Sequence, residues 1–156
     1  MDAKLKAFLD LIAFSEGTST SKYTKNDGYD VVVNGVDSPH TFSNYLTHPN
    51  VLVTVREHPL LQSTAAGRYQ LLHRWYEAYC AKLGLKNFTP ASQDAIAIEQ
   101  IKECRALPLI DAGDIAGAIT ACSNIWASFP GNNYNQGGHS IDTLVNKYQE
   151  FLQHAH

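Results

Sequence analysis

The chain has 156 residues, 44% of them hydrophobic and 17% charged, and a net charge of −3. That length allows one domain with a sizeable core, and without a basic run it excludes nucleic acid or an anionic membrane as expected partners. A neutral or weakly charged ligand, such as a neutral sugar, fits this balance better.

At the N-terminus, Asp2, Lys4, Lys6 and Asp10 interrupt every apolar run. The segment therefore lacks the continuous apolar region of a secretory leader and the span of about 20 apolar residues needed to cross a bilayer. A cytoplasmic protein is expected. Within residues 4–14, Leu5, Phe8, Leu9 and Ile12 recur at three- and four-residue intervals, which predicts an amphipathic helix. Gly17 supplies a left-handed residue to end it. Glu16 then falls on the last helical turn, beside unpaired carbonyls and the negative end of the helix dipole, where a carboxyl pKa drifts upward, more so if Phe14 and its neighbours exclude water. A carboxyl group kept protonated near neutral pH can act as a general acid. The competing reading is a surface glutamate at a frayed helix end.

After Gly17 the chain turns polar. Tyr29-Asp30-Val31-Val32-Val33 is a short β-branched run, and Asn34-Gly35 is a strong hairpin signal. A partner strand is expected near Val36, and Leu52-Val53-Thr54-Val55 is expected as a third strand or an irregular crossing. These make a small β lobe at about 18–60. The rest reads as helical. Ser63 is expected to cap a helix carrying Tyr69, Leu72, Trp75, Tyr76, Tyr79 and Leu83, closed by Gly84. Thr89-Pro90 starts another helix, which stops before Pro108. Asp114 caps a segment from Ile115 to about Ile125, with Ile119 and Ile125 facing inward. After an Asn/Gly-rich loop at 130–138, Ser140 opens the last helix, with Ile141, Leu144, Val145 and Tyr148 on one face. The fold class is α+β and mainly helical, one domain over 1–156 with the β lobe inserted after the first helix.

Cys80, Cys104 and Cys122 are odd in number and widely spaced, so they read as small buried apolar residues and not as a disulfide frame. The histidines lack the short spacings of zinc sites, so no metal or other cofactor is expected. Two further stretches carry possible chemistry. Ala65, Ala66 and Gly67, placed at a helix start, would let a ligand or another backbone approach closely. Free N–H groups there and the amide of Gln70 suit an acetamido group, whereas plain helix packing explains the small residues equally well. Trp126 to Gln136 sets an aromatic among small amides, as sugar-binding surfaces do, or else holds Trp126 in the core.

Taken together, Phe14-Ser15-Glu16-Gly17-Thr18, Gly28-Tyr29-Asp30-Val31, Ala66-Gly67-Arg68-Tyr69-Gln70-Leu71-Leu72 and Cys122-Ser123-Asn124-Ile125-Trp126-Ala127-Ser128 resemble the endolysin family of bacteriophage lambda. Ala106-Leu107-Pro108 and Gly113-Asp114-Ile115 match as well, so the resemblance runs from about Lys6 to Tyr148. The segment 36–47 looks longer here, and the tail after Phe151 has no counterpart. The resemblance implies a lysozyme-like fold, in which the helical domain and the β-hairpin lobe form a groove, and a lytic transglycosylase that cuts peptidoglycan. It maps the catalytic glutamate onto Glu16. It also implies a groove lined by Gly67, Arg68, Tyr69 and Gln70, an approaching aromatic at Tyr134, and substrate contacts from Ser15, Thr18, Tyr29, Asp30 and Gln136. A monomer acting on the glycan strand is expected, with no membrane insertion. A holin would open its route from the host cytoplasm to the wall at lysis.

Three rivals remain at this stage. A hydrolytic lysozyme needs a second carboxylate or a held water across the sugar ring. The Asp and Thr that common phage lysozymes carry after the catalytic glutamate would fall at Lys25 and Val31, so that triad is absent; Asp27 and Asp30 stay as candidates, Asp30 equally suited to holding a turn. A non-catalytic glycan-binding module and a zinc amidase complete the set.

Overall fold

The computed structural model describes residues 1–131 and 139–155. Among them the architecture is mainly helical with one two-stranded antiparallel sheet: α1 Ala3–Glu16, β1 Val53–Arg56, β2 Leu61–Ser63, α2 His73–Leu83, α3 Pro90–Glu103, α4 Leu107–Asp111, α5 Ile115–Cys122 and α6 Ile141–His154. The chain divides into two compact units, one made of 1–16 and 97–156 and the other of 17–96. No helix of the described residues is long and apolar enough to cross a membrane.

In the first unit, α1 packs against α6 and α4, and α5 packs against both α4 and α6. Neighbours on several sides explain why α1 is buried beyond a single stripe: Ala7, Leu11 and Ala13 are as enclosed as Phe8, Leu9 and Ile12, while Leu5 is only partly covered. The core continues through Ile101, Ile110, Ile119, Trp126, Phe129, Leu144 and Tyr148. Helix ends follow local chemistry. Asp2 Oδ1 accepts from the Leu5 N–H at 2.8 Å, Asp114 accepts from Gly117 N at 3.0 Å, and Ser140 from Thr143 N at 3.2 Å, each satisfying a donor that the helix leaves open. α5 stops at Cys122, short of the expected end, and Ile125 lies outside it and exposed. Pro108 lies near the start of α4 instead of merely terminating α3, as proline's missing N–H allows in a first turn.

The second unit departs further from expectation. Asn34-Gly35 does not make the hairpin. Neither residue has the positive φ that a type I′ turn requires. Instead Gly35 lies against β1, where an added Cβ would sit 2.5 Å from the Thr54 carbonyl oxygen, and Val36 N donates to that oxygen at 2.8 Å. The valine run pairs at long range: Val31 bridges Thr41, and Val32 bridges Ala66. The regular sheet is β1 with β2, in the register Val53↔Ser63, Thr54↔Gln62 and Arg56↔Leu61, with an irregularity between Thr54 and Arg56. Ser63 therefore ends a strand and caps no helix. α2 begins at His73, whose N–H is taken by Thr64 Oγ1 at 3.0 Å, and closes on Gly84 at φ 69°. Trp75, expected on the apolar face, is exposed. This unit's core gathers Ala66, Leu71, Tyr76, Phe88 and Ile96.

Candidate active site

Glu16 is the last residue of α1 and is partly buried. Gly17 follows at φ 78°, and an added Cβ would meet nothing within 4 Å, so the backbone conformation alone favours glycine there. Burial lifts the Glu16 carboxyl from its ordinary 4.5 to about 7, against a hydrogen bond from Ser128 that holds it down. The rise has the direction expected of a carboxyl at a helix end, with water exclusion as its main cause. Ser15 Oγ lies 2.8 Å from Ser128 Oγ. A carboxylate only accepts and a hydroxyl donates once, so in the ionised state Ser15 donates to Ser128 and Ser128 to Glu16. Ser15 is thus a buried support of the carboxyl's partner. Ser128 was not among the candidate residues. It stood only within the stretch from Trp126 to Gln136 and at the end of the matched segment from Cys122, with no role of its own.

The other described candidates lie in the second unit. Thr18 is buried and donates from Oγ1 to the Arg68 carbonyl at 2.6 Å. Asp30 is buried, accepting from Thr24 Oγ1 at 2.5 Å and from Lys25 N at 3.0 Å. It ties a turn, one of the two roles open to it in the sequence. Tyr29 and Tyr69 both donate to Asp94 Oδ1, at 2.8 and 2.6 Å. Burial, the main cause, and that carboxylate push the Tyr29 phenol up to about 12 and the Tyr69 phenol higher still, so both stay protonated. Arg68 is buried, with Nη1 donating to Tyr69 Oη at 3.1 Å, Nε donating to the Asp27 carbonyl at 2.9 Å, and Nη2 3.5 Å from the Asp27 carboxylate. Asp94 joins these side chains, although no motif pointed to it.

The stretch 65–71 is not a helix start, which corrects the idea of free N–H groups there. Gly67 N donates to Val31 O at 2.8 Å, Arg68 N to Gln93 Oε1 at 2.9 Å, and Ala66 and Leu71 exchange backbone bonds. The small residues serve this close pairing: a Cβ at Gly67, whose φ is 85°, would lie 2.5 Å from Gln93 Oε1 and 2.9 Å from Phe88 Cζ. Gln70 is half-buried at φ 55°, with Nε2 donating to the Gly67 carbonyl at 2.9 Å. Trp126 is 1% exposed and packs edge-on to Phe129, so it belongs to the core and presents no face to a sugar. Tyr134 and Gln136 lie outside the described residues. Among the described residues no group of three or more His, Cys, Asp and Glu side chains could hold a metal ion.

The model of the family described as Endolysin matches residues 6–154. The endolysin of Escherichia phage lambda is 56% identical over 146 residues, which is 93% of this chain and 89% of that protein. That of Escherichia phage P2 is 46% identical over 145 residues, 90% and 88% of the two. Two solved structures of the bacteriophage lambda lysozyme superpose on the chain, each covering 97% of it and 95% of the other chain. One, complexed with a chitohexasaccharide, has a TM-score of 0.89 at 53% identity; the other has 0.86 at 51%. The fold is accordingly lysozyme-like. Agreement of sequence and fold over so much of the length means that the chain belongs to the endolysin family.

Proposed function

We propose that this endolysin degrades the glycan strands of bacterial peptidoglycan during host lysis, and that it does so by lytic transglycosylation at the bond between N-acetylmuramic acid and N-acetylglucosamine. The observation that carries this reading is Glu16, a carboxyl held up to about 7 by burial and steadied by Ser128. At neutral pH a substantial share of it is protonated and ready to donate. A glycan substrate is supported by the chitohexasaccharide bound to the lambda lysozyme.

In the first step Glu16 protonates the bridging oxygen as the bond to C1 breaks. The positive charge growing at C1 is relieved by the substrate's own 2-acetamido oxygen, so an enzyme nucleophile is not required. Glu16, now a carboxylate, takes the proton from the muramic C6 hydroxyl, and that oxygen closes onto C1. The product carries a 1,6-anhydro end, and no water is consumed. Gln70 is assigned to orient the acetamido group and Tyr134 and Gln136 to hold the sugar, a positional contribution.

Hydrolysis is the second reading, favoured by the lysozyme names of the related structures. It needs a second carboxylate or a positioned water. Asp30 is committed to Thr24 and Lys25, which leaves Asp27, exposed and beside Arg68. Mass spectrometry of digested glycan strands separates the two: anhydro-muramic ends are expected, and reducing muramic ends would replace this mechanism with hydrolysis. Glu16→Gln is expected to clear permeabilised Gram-negative cells at least about 100-fold more slowly with the fold intact. Equal clearing would make the protein a non-catalytic module. The protein is assigned to the host cytoplasm until a holin opens the inner membrane; periplasmic protein before lysis would refute that route.

A further inference from the structure

Two neighbouring residues of α3 tie together two segments of the second unit that lie far apart in sequence. Gln93 takes them by the backbone: its Oε1 accepts from Arg68 N at 2.9 Å, and its Nε2 donates to the Tyr29 carbonyl at 3.1 Å and the Phe88 carbonyl at 2.9 Å. Asp94 takes them by the side chain. Its Oδ1 accepts from both phenols, Tyr29 at 2.8 Å and Tyr69 at 2.6 Å, and the two rings meet edge-on with centroids 6.3 Å apart. The Arg68 guanidinium carbon lies 5.3 and 5.5 Å from those centroids, within cation–π reach. A phenol has a single hydrogen to donate, so neither tyrosine has one left for a sugar.

Tyr69 stands inside the turn from Gly67 to Gln70. Gly67 has φ 85° and Gln70 φ 55°, and a side chain in the left-handed region persists only where its surroundings hold it. The Gly67 carbonyl accepts from Gln70 N at 3.2 Å and from Gln70 Nε2 at 2.9 Å. One N–H of the amide is thus spent on the turn, which fixes the plane in which its second N–H and Oε1 face a partner. A donor beside an acceptor complements an acetamido group. We propose that Asp94 is a positioning residue of the glycan site: through Tyr29 and Tyr69 it fixes the turn 67–70, so that Gln70 meets the sugar's acetamido group in one orientation. This role rests on the acetamido assignment of Gln70 made above. The acetamido oxygen relieves charge at C1 only as the bond breaks, so a loosened turn costs rate more than binding.

The test is steady-state cleavage of soluble, uncross-linked glycan strands by the full-length protein, counting broken bonds whether the new ends are anhydro or reducing. Asp94→Ala is expected to lower kcat about 10–100-fold while KM stays within about 3-fold. Asp94→Asn keeps an acceptor oxygen for both phenols and is expected to recover at least about a third of the wild-type kcat. Tyr29→Phe with Tyr69→Phe breaks the same bonds from the other side, leaves the carboxylate in place, and is expected to match Asp94→Ala. Gln70→Ala should lose a similar factor, and adding Asp94→Ala to it should cost less than about 2-fold more, because both changes remove one alignment. A smaller folded fraction would instead multiply the two losses. Full kcat in Asp94→Ala and in the tyrosine pair, an Asp94→Asn as impaired as Asp94→Ala, or multiplied losses in the Gln70 and Asp94 pair would each overturn the role of Asp94. Full kcat in Gln70→Ala beside an impaired Asp94→Ala would overturn the acetamido assignment of Gln70, and with it this route.

Discussion

At Glu16, the proposed general acid, two influences oppose each other, and the balance between them sets the pH at which its carboxyl ionises. Burial raises the carboxyl to about 7, while the Ser128 hydroxyl favours the ionised form. A general acid loses rate as it ionises, so kcat for glycan cleavage should fall on the alkaline side with a midpoint near that value. Ser128→Ala removes the lowering influence, so its alkaline limb should move upward. A pH–rate series on soluble glycan strands measures both, and an unmoved limb in the variant would deny Ser128 its role. The same shift bears on stability. A carboxyl whose pKa is raised by folding binds more protons folded than unfolded, so its contribution is complete below 4.5 and lost as pH rises through 7. Glu16→Gln should therefore gain on the wild type above neutrality, by up to about 3 kcal/mol, in urea titrations at alkaline and acid pH.

Among the elements, the stretch 65–71 makes the strictest demand on side-chain size. A methyl group at Gly67 would stand 2.5 Å from Gln93 Oε1, which already accepts from Arg68 N, and the φ of 85° disfavours any side chain. Left-handed strain and overpacking together give an expected loss of about 2–4 kcal/mol for Gly67→Ala, read as a lower urea midpoint. That stretch also separates what was legible in the chain from what was not. Asp114, Ser140, Gly84 and Gly17 mark helix ends through bonds and dihedrals that involve only near neighbours, and all four do so in the structure. Asn34-Gly35 and Ser63 carry equally strong local signals, yet tertiary pairing decides them: Val36 bonds to Thr54, and Ser63 pairs with Val53. For the candidate site, the place of Glu16 on the last turn of α1 could be read from local spacing, whereas the burial that chiefly raises its carboxyl comes from tertiary packing. Ser128 and Asp94 act on groups far away in sequence, on Glu16 and on Tyr29 and Tyr69, and no spacing rule exposes such partners.

For the whole chain, two buried titratable groups, one in each compact unit, pull stability in opposite directions as pH changes. His48 is enclosed by Phe88 and Tyr76, with Nε2 2.7 Å from the Leu71 carbonyl and Nδ1 accepting from Asn50 N at 3.0 Å. The Nδ1 bond fixes Nε2 as the protonated nitrogen of a neutral ring. Burial, the largest cause, brings its pKa from 6.5 down to about 4. The unfolded chain then binds the extra proton, so stability rises with pH from about 4 to 6.5. Glu16 loses stability between 4.5 and 7. The shifts are opposite in sign, so across roughly pH 4.5–6.5 the two contributions oppose each other, and the wild type should change less steeply with pH than either single variant. Removing either group exposes the other. Glu16→Gln should become more stable as pH rises through that window, His48→Gln less stable, and the double variant shallow like the wild type, at lower absolute stability because the Leu71 and Asn50 bonds are weakened. Urea titrations at closely spaced pH values measure the four slopes, and parallel slopes in the two single variants would break the account.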